Sequence, residues 1–326
     1  MITYNGSIAT GSSGAWIVDD PNNPLFLPPY TIRLRFAAGE TPTFTKGTAV
    51  QVSSSQNIWD LTYTNPDWSY LLDGHGSHYT GSLIEVMGAN TSGVTDMNAI
   101  FSNDNLLESV SLFDTSSVSI TANMFNNCEE LTTIPLFDTS SVTNMIGMFS
   151  GCVSLTSVPL LDTSSVTWMS WMFEDCSSLT SVPLFDTSSV LTFFHAFDDC
   201  SSLTSVPLFD ISSATSLESM FAGCSSLVEA PLLDTSHIVN MSYMFSECSS
   251  LKAVPLLDTS SASNVQGMFH WCYNVESGAL DLYNQASSQT TPPASHSGCF
   301  SQCGRDTVTG AAELAQIPAS WGGNAP

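Results

Sequence analysis

Positive charge is nearly absent from this chain. Lys46, Lys252, Arg33, Arg35 and Arg305 are its five cations, against 30 acidic residues, for a net charge of −25 over 326 residues. A surface so negative repels phosphate backbones, which excludes nucleic acid as a partner. Anionic membrane surfaces are disfavoured for the same reason. Long apolar runs are missing as well: none reaches the ~18 residues of a membrane span. The N-terminal Met1-Ile2-Thr3-Tyr4 has neither the basic nor the apolar region of a secretory signal, and Ser320–Pro326 offers no anchor. The expectation is a chain that stays where it is made or leaves by a route needing no signal.

Catalytic signatures are also lacking. There is no phosphate-binding glycine loop and no nucleophile elbow, and Ser249-Ser250-Leu251-Lys252 fits S-x-x-K without any companion motif. The six histidines show no ligand spacing; the close pair His75 and His78, beside Asp73, reads as a polar loop rather than a metal site. No enzyme, cofactor or metal is expected.

What is present is a strict period. A 24-residue motif recurs seven times without insertion, with fixed points at Asp114, Asp138, Asp162, Asp186, Asp210, Asp234 and Asp258. Cys128, Cys152, Cys176, Cys200, Cys224, Cys248 and Cys272 keep the same spacing, and Leu136–Pro159 shows one whole unit. A period held this strictly marks a solenoid, in which each repeat buries its apolar side against its neighbours. Hydrophobic content of 43% is ample for such a core. Nine cysteines are an odd number, and seven share one apolar repeat position, so they read as a ladder of reduced, buried thiols formed in a reducing compartment.

Within a unit, Val142, Met145, Met148, Phe149 and Cys152 form an apolar stripe at helical spacing, with Ser140 or Ser141 as N-cap. Leu155–Val158 reads as a short strand closed by Pro159. The expected fold is therefore an α/β repeat: a leucine-rich-repeat-like solenoid with a short strand and a short helix per coil. A degraded unit precedes the strict ones, with Asn90, Ile100 and Asp104 where later coils carry Asp, Met and Cys. Nine coils at the ~4.8 Å strand spacing give a rod or arc on the order of 40–45 Å.

Residues 1–88 show no repeat and read as a β-rich docking module: Thr31–Phe36 alternates as a strand, and Thr43–Val52 is a β-like run broken by a turn at Lys46-Gly47. Gly6–Gly14 looks like a flexible or extended arm, punctuated onward by Pro21, Pro24, Pro28 and Pro29. The solenoid is assigned to residues 89–280, and 281–326 to an irregular capping repeat in which Phe300 and Cys303 restore the F-x-x-C pattern, Leu314–Pro318 echoes the strand, and Gln285–Ser297 forms a loop.

The unit F-D-T-S-S-V-x-x-M-x-x-M-F-x-x-C-x-S-L-T-S-V-P closely resembles the BspA-type leucine-rich repeats over about residues 90 to 320. Such repeats occur in surface lipoproteins of bacteria and mycoplasmas and in proteins of phages that infect gut bacteria. The resemblance implies a curved solenoid with adhesion or host-attachment roles, and a structural part for the Asp, Met-Phe and Cys positions. The cell-surface members carry a signal sequence, lipobox or anchor that is missing here, which turns the expectation toward a phage virion component.

Binding chemistry is sought at the variable positions. Each ladder Asp followed by Thr-Ser-Ser suits an Asx-type turn, and one carboxylate per coil supplies too few oxygens for calcium. On a helical reading Trp171 lies opposite the core, flanked by Trp168, Glu174 and Asp175; His195 follows in the same column with Asp198 and Asp199 beside it, and Tyr243 comes two coils later. Aromatic planes beside carboxylates suit a sugar, and exposed Trp suits another protein equally well.

The expectation is a non-enzymatic structural or attachment protein: a phage fibre, spike or decoration docked to other virion or surface proteins through its N-terminal module. Its solenoid would touch host glycans or surface proteins. The alternative is a bacterial cell-surface adhesin. A remote third is a glycan-active enzyme, which needs a carboxylate pair in a cleft. A homo-oligomer is compatible with the sequence, but no heptad pattern sets its number.

Overall fold

The computed structural model describes residues 30–44, 47–63, 65, 68, 79–80 and 83–324. The Gly6–Gly14 arm, the prolines at 21–29, Lys46 and the His75/His78 pair lie outside those residues. In the N-terminal part β1 (Thr31–Phe36) turns Ile32, Leu34 and Phe36 inward. Arg33 and Arg35 project from its other face to Asp60 at 2.8 Å and Glu85 at 2.7 Å. The Thr43–Val52 run divides into β2 (Thr43–Phe44) and β3 (Thr48–Ser53); β4 (Ile58–Thr62), β5 (Tyr79–Thr80) and β6 (Leu83–Asn90) follow. The main sheet has the order β3-β4-β1-β6-β7, where β7 (Ser109–Val110) already belongs to the first coil. β6 runs across residue 88, pairs with β1 antiparallel, and pairs with β7 in parallel through Glu85 and Val86. One sheet thus carries the chain from the N-terminal part into the solenoid.

The coils do not contain the expected helix. Met145, Gly147, Phe149 and Gly151 each donate a backbone N–H to the next coil, to the carbonyls of Trp168, Ser170, Met172 and Glu174, at 2.8–2.9 Å. The residues between them donate backward within the coil: Met148, Ser150 and Cys152 to Met145, Gly147 and Phe149, at 3.0–3.2 Å. In an α-helix every N–H stays inside its own segment. Here alternate N–H groups tie one coil to the next, and overlapping turns replace the helix. Every fourth residue must then take positive φ, as do Gly147 (59°), Gly151 (75°), Trp171 (57°) and Asp175 (59°). Inward side chains fall at 145, 148, 149 and 152 in this ribbon too, so the apolar spacing fits both conformations.

The expected strand at Leu155–Val158 is likewise reduced to extended backbone with sparse cross-coil bonds, such as Thr156 N–H to the Thr132 carbonyl at 3.1 Å. Pro159 and its equivalents lack the N–H that would continue a ladder. Only in the first coil does this segment become a strand, β7, because β6 lies beside it. All but one of the coil-to-coil β-bridges sit instead at the head of the turn ribbon, running Asp96–Ile120–Asn144–Trp168 and then Thr192–Ser216–Asn240–Asn264–Ser295; the exception, Ala253–Ser277, lies in the extended segment itself.

The core is a stack of like residues. Phe101, Phe125, Phe149, Phe173, Phe197, Phe221, Phe245, Phe269 and Phe300 follow one another at 5.4–6.2 Å between ring centroids, all within 17° of parallel. The seven repeat cysteines are free and buried. Each thiol points at the carbonyl of the Phe one coil back, as Cys176 does to Phe149 at 3.2 Å. Burial pushes these thiols up, Cys152 to about 12. Buried Thr hydroxyls tie the coils on another side, Thr163 to the Asp186 carbonyl at 2.7 Å. At the C-terminal end α1 (Ala279–Ser287) and α2 (Val308–Leu314) pack together, and Trp321 stacks on Phe300 at 6.4 Å to close the column. The expected Gln285–Ser297 loop therefore begins inside α1.

Candidate functional site

Two surfaces stand out, one foreseen from the sequence and one not. The foreseen surface begins with Trp171, whose positive φ, rather than a helical face, sets its backbone. Its ring lies parallel to His195 of the next coil at 6.3 Å, with Phe194 edge-on at 4.8 Å. His195 Nδ1 meets Asp198 Oδ2 at 2.5 Å, and Ser150 donates to Glu174 Oε2 at 3.1 Å. Burial raises the Asp198 carboxyl to about 6 against the lowering effect of His195, and burial raises Glu174 and Asp199 as well. The ligand atoms of Glu174, His195 and Asp198 lie within 4.8 Å of one another, a mixed donor set able to hold a divalent ion. The sequence finds no such pattern, because Glu174 comes from the preceding coil and spacing along the chain does not reveal it.

The remaining foreseen residues spread away from this trio. Asp175 and Asp199 are exposed on the adjoining column, and Trp168 is exposed at the bridge to Asn144. Tyr243 shares the column of Trp171 and His195 but not their cluster. It covers Gly267 in the following coil and accepts a hydrogen bond from Gln266 at 2.8 Å.

The unforeseen surface is a column of leucines. Leu112, Leu136, Leu160, Leu184, Leu208, Leu232 and Leu256 stand one coil apart, each 54–71% exposed. A local turn explains five of them. Phe137 donates its N–H to the Pro135 carbonyl at 3.0 Å, and Leu161, Phe185, Leu233 and Leu257 repeat the bond to Pro159, Pro183, Pro231 and Pro255. This is a γ-turn centred on the leucine, which sends the following residue into the core and leaves the leucine outside. The signal was available in the sequence: two successive apolar residues after Pro cannot both face inward.

Beside the leucines runs the Asp column. In most coils one carboxylate oxygen accepts both the N–H and the hydroxyl of the Ser two residues on, Asp162 from Ser164 at 3.1 and 2.6 Å. Those bonds, the hydroxyl first, hold Asp138, Asp162, Asp210 and Asp234 below the usual carboxylate range. The carboxylates are exposed and stay charged. Shallow hollows open between rungs, one lined by Leu112, Leu136, Asp114 and Asp138, another by Leu208, Leu232, Asp210 and Asp234.

Fold and surfaces together define a repeat solenoid that presents uniform columns of side chains. The chain belongs to the family described as "Mycoplasma protein of unknown function, DUF285", whose profile matches residues 79–182, 121–232, 156–255 and 192–292. Those overlapping matches cover well over half of the chain and support the BspA-like repeat assignment. No curated protein matches. Among solved structures, a leucine rich cell surface protein from Faecalibacterium prausnitzii A2-165 is similar at 17% identity. The match covers 67% of this chain and 89% of that one, with a TM-score of 0.28. Neither likeness names a virion protein.

Proposed function

We propose that this chain is a non-enzymatic binding scaffold of the adhesin kind, displayed on a bacterial surface. The observation that carries the reading is the leucine column. Seven large apolar side chains in line, each more than half exposed, form a surface that soluble monomers rarely leave open. The hydrogen bonds between coils hold every rung in the same attitude, so the column is preorganised for a macromolecular partner. The repeat resembles the BspA type, whose members include surface lipoproteins of bacteria and mycoplasmas, and that resemblance turns the reading toward display on a cell. The N-terminal sheet, continuous with the first coil, is the part suited to dock the solenoid to its carrier.

Immunogold labelling of intact producing cells tests the reading. Labelling of whole cells that disappears after brief protease treatment supports it. Labelling only after lysis, or only on phage particles, overturns it. The Trp171–His195 patch gives a second, smaller contact, where stacking planes beside carboxylates suit a hydroxyl-rich sugar. A glycan array probed with the native chain and with Trp171→Ala tests that contact, and equal binding by both removes it.

A further inference from the structure

We propose that the leucine and aspartate columns together bind a basic amphipathic helix of another protein, laid along the solenoid axis. The proposal takes the leucine column as the binding face, as above, and adds the chemistry of the occupant. The two columns are inseparable, because each exposed leucine is followed two residues later by an exposed, charged Asp. A partner that covers the leucines must therefore lie beside a row of carboxylates.

A second copy of this chain, with 30 acidic residues and five cations, offers that face little complementary charge. Among the described residues the cations are Arg33, Arg35, Lys252 and Arg305, and each already pairs with an acid, Asp60, Glu85, Glu276 and Asp306 respectively. Two copies meeting through this face would double its carboxylates and, among the described residues, add a cation only at the last rung, where Lys252 already pairs with Glu276. The occupant has to bring its own Lys or Arg.

Spacing selects a helix. Successive coils lie between the ~4.8 Å of paired strands and the 5.4–5.8 Å separating most of the stacked Phe rings. One turn of α-helix rises about 5.4 Å, so its i, i+3, i+4 and i+7 positions keep step with the rungs. An extended strand presents like-facing residues every ~6.7 Å and falls out of register by several ångströms within three or four rungs. Six steps from Leu112 to Leu256 span about 30 Å, the length of a helix of about 20 residues.

The flanks define the rest. The Asp column lies on one side of the leucines only; the other side is mostly Thr and Ser, as at Thr132, Thr156 and Ser157, with Glu108, Glu229 and Lys252 as its charged exceptions. The bound helix therefore carries its cations in one row, along a single flank of its apolar stripe.

Fluorescence anisotropy with the full chain and synthetic 21-residue peptides tests this. The probe has Leu at i, i+3, i+4 and i+7 and Lys along one flank; the controls are the same peptide with Glu for Lys, a scrambled peptide, and an alternating Leu-Lys strand former. The expected result is saturable one-to-one binding of the probe, at least tenfold weaker for every control and weakened by 0.5 M salt. The double variant Leu184→Ser/Leu208→Ser loses at least tenfold, and Asp186→Asn/Asp210→Asn loses several-fold together with part of the salt dependence. The Asn variants keep an acceptor for Ser188 and Ser212, so they preserve the turns even if the leucine variant fails to fold. Equal binding of scrambled and designed peptides, tighter binding of the strand former, or indifference to the Asn variants overturns the proposal. So does dimerisation of the free chain that is abolished by the leucine variant. Loss of peptide binding with cells still labelled removes this partner and leaves the surface scaffold standing, while unlabelled cells with intact peptide binding do the reverse.

Discussion

Replacing Phe173 by Ala tests whether the aromatic stack is the spine of the fold. Phe173 is wholly buried, with its ring 5.5 Å from Phe149, 5.4 Å from Phe197 and 6.2 Å from Phe185. Truncating a buried Phe to Ala costs about 3–5 kcal/mol, and the figure rises where the void cannot collapse. Collapse is difficult here, because backbone bonds fix the coils on both sides: Phe149 N–H to Met172 O and Phe173 N–H to Ala196 O, each 2.9 Å. The upper part of that range is therefore expected, about 4–5 kcal/mol, against a total stability on the order of 5–15 kcal/mol for ordinary domains. Phe173→Leu fills most of the void and is expected to cost about 1–2 kcal/mol.

Urea unfolding followed by circular dichroism, and separately by tryptophan fluorescence, measures both variants. A solenoid coupled only through neighbouring coils has a further signature: a weak central coil splits the transition, so the two probes cease to coincide. The same change at Phe300, whose stack continues only to Trp321 beyond, should lower stability without splitting it. A loss below about 1 kcal/mol for Phe173→Ala, with coincident probes, would mean that the stack is not a close-packed core.

The nine cysteines should resist iodoacetamide in the native chain and all react after unfolding, which mass spectrometry counts directly; fast native labelling of any repeat cysteine contradicts its burial. Asp198 should make stability depend on pH. Its folded carboxyl titrates at about 6 against an ordinary 3.8, so the folded state holds this proton more tightly than the unfolded state does. The resulting stability is fully present below pH ~4, is lost as pH rises through ~6, and amounts to at most about 3 kcal/mol. Asp198→Asn should therefore gain on the native chain between pH 4.5 and 7.5 in urea midpoints, and a pH-independent difference would refute the assignment. Asp175→Gly relieves a positive φ of 59° at an exposed position and should change stability by no more than about 1 kcal/mol, as strain relief and glycine's entropy nearly cancel. A larger loss would show that the Asp175 side chain contributes contacts of its own.

Much of this fold is legible in the sequence because a solenoid repeats its own evidence. The period, the buried cysteines and the strand Thr31–Phe36 all follow from spacing alone. The helix misreading has a definite physical source. Apolar residues at i, i+3, i+4 and i+7 face one way both in an α-helix and in a ribbon of overlapping turns with a left-handed residue every fourth place. The two differ in where the N–H groups go, and side-chain hydrophobicity does not record that. What does record it is the residue type at the left-handed positions. Gly147, Gly151, Gly223 and Gly267 fall there, as do Asn123, Asn127, Asp175 and Asp199, the types that tolerate positive φ most readily. A four-residue recurrence of Gly, Asn and Asp inside an apparently helical stripe is the signal that separates the two conformations.

The same positions explain why the two surfaces differ in how readily the sequence reveals them. Trp171, His195 and Tyr243 occupy left-handed positions where the ribbon places Gly or Asn in other coils, so they depart from the consensus and attract notice. Bulky residues there cost about 1–2 kcal/mol each relative to a right-handed setting, a cost the coil lattice has to absorb. The leucine column departs from nothing. It is part of the consensus, and a consensus position in a repeat reads as core by default. A γ-turn at five of the Pro-Leu steps reverses that reading. In a solenoid, then, a residue invariant from coil to coil can be a surface feature built once per coil. The period amplifies a single exposed side chain into a 30 Å face, at about 5 Å per step. Binding chemistry in such a chain is accordingly sought in its repeated residues as well as in its exceptions.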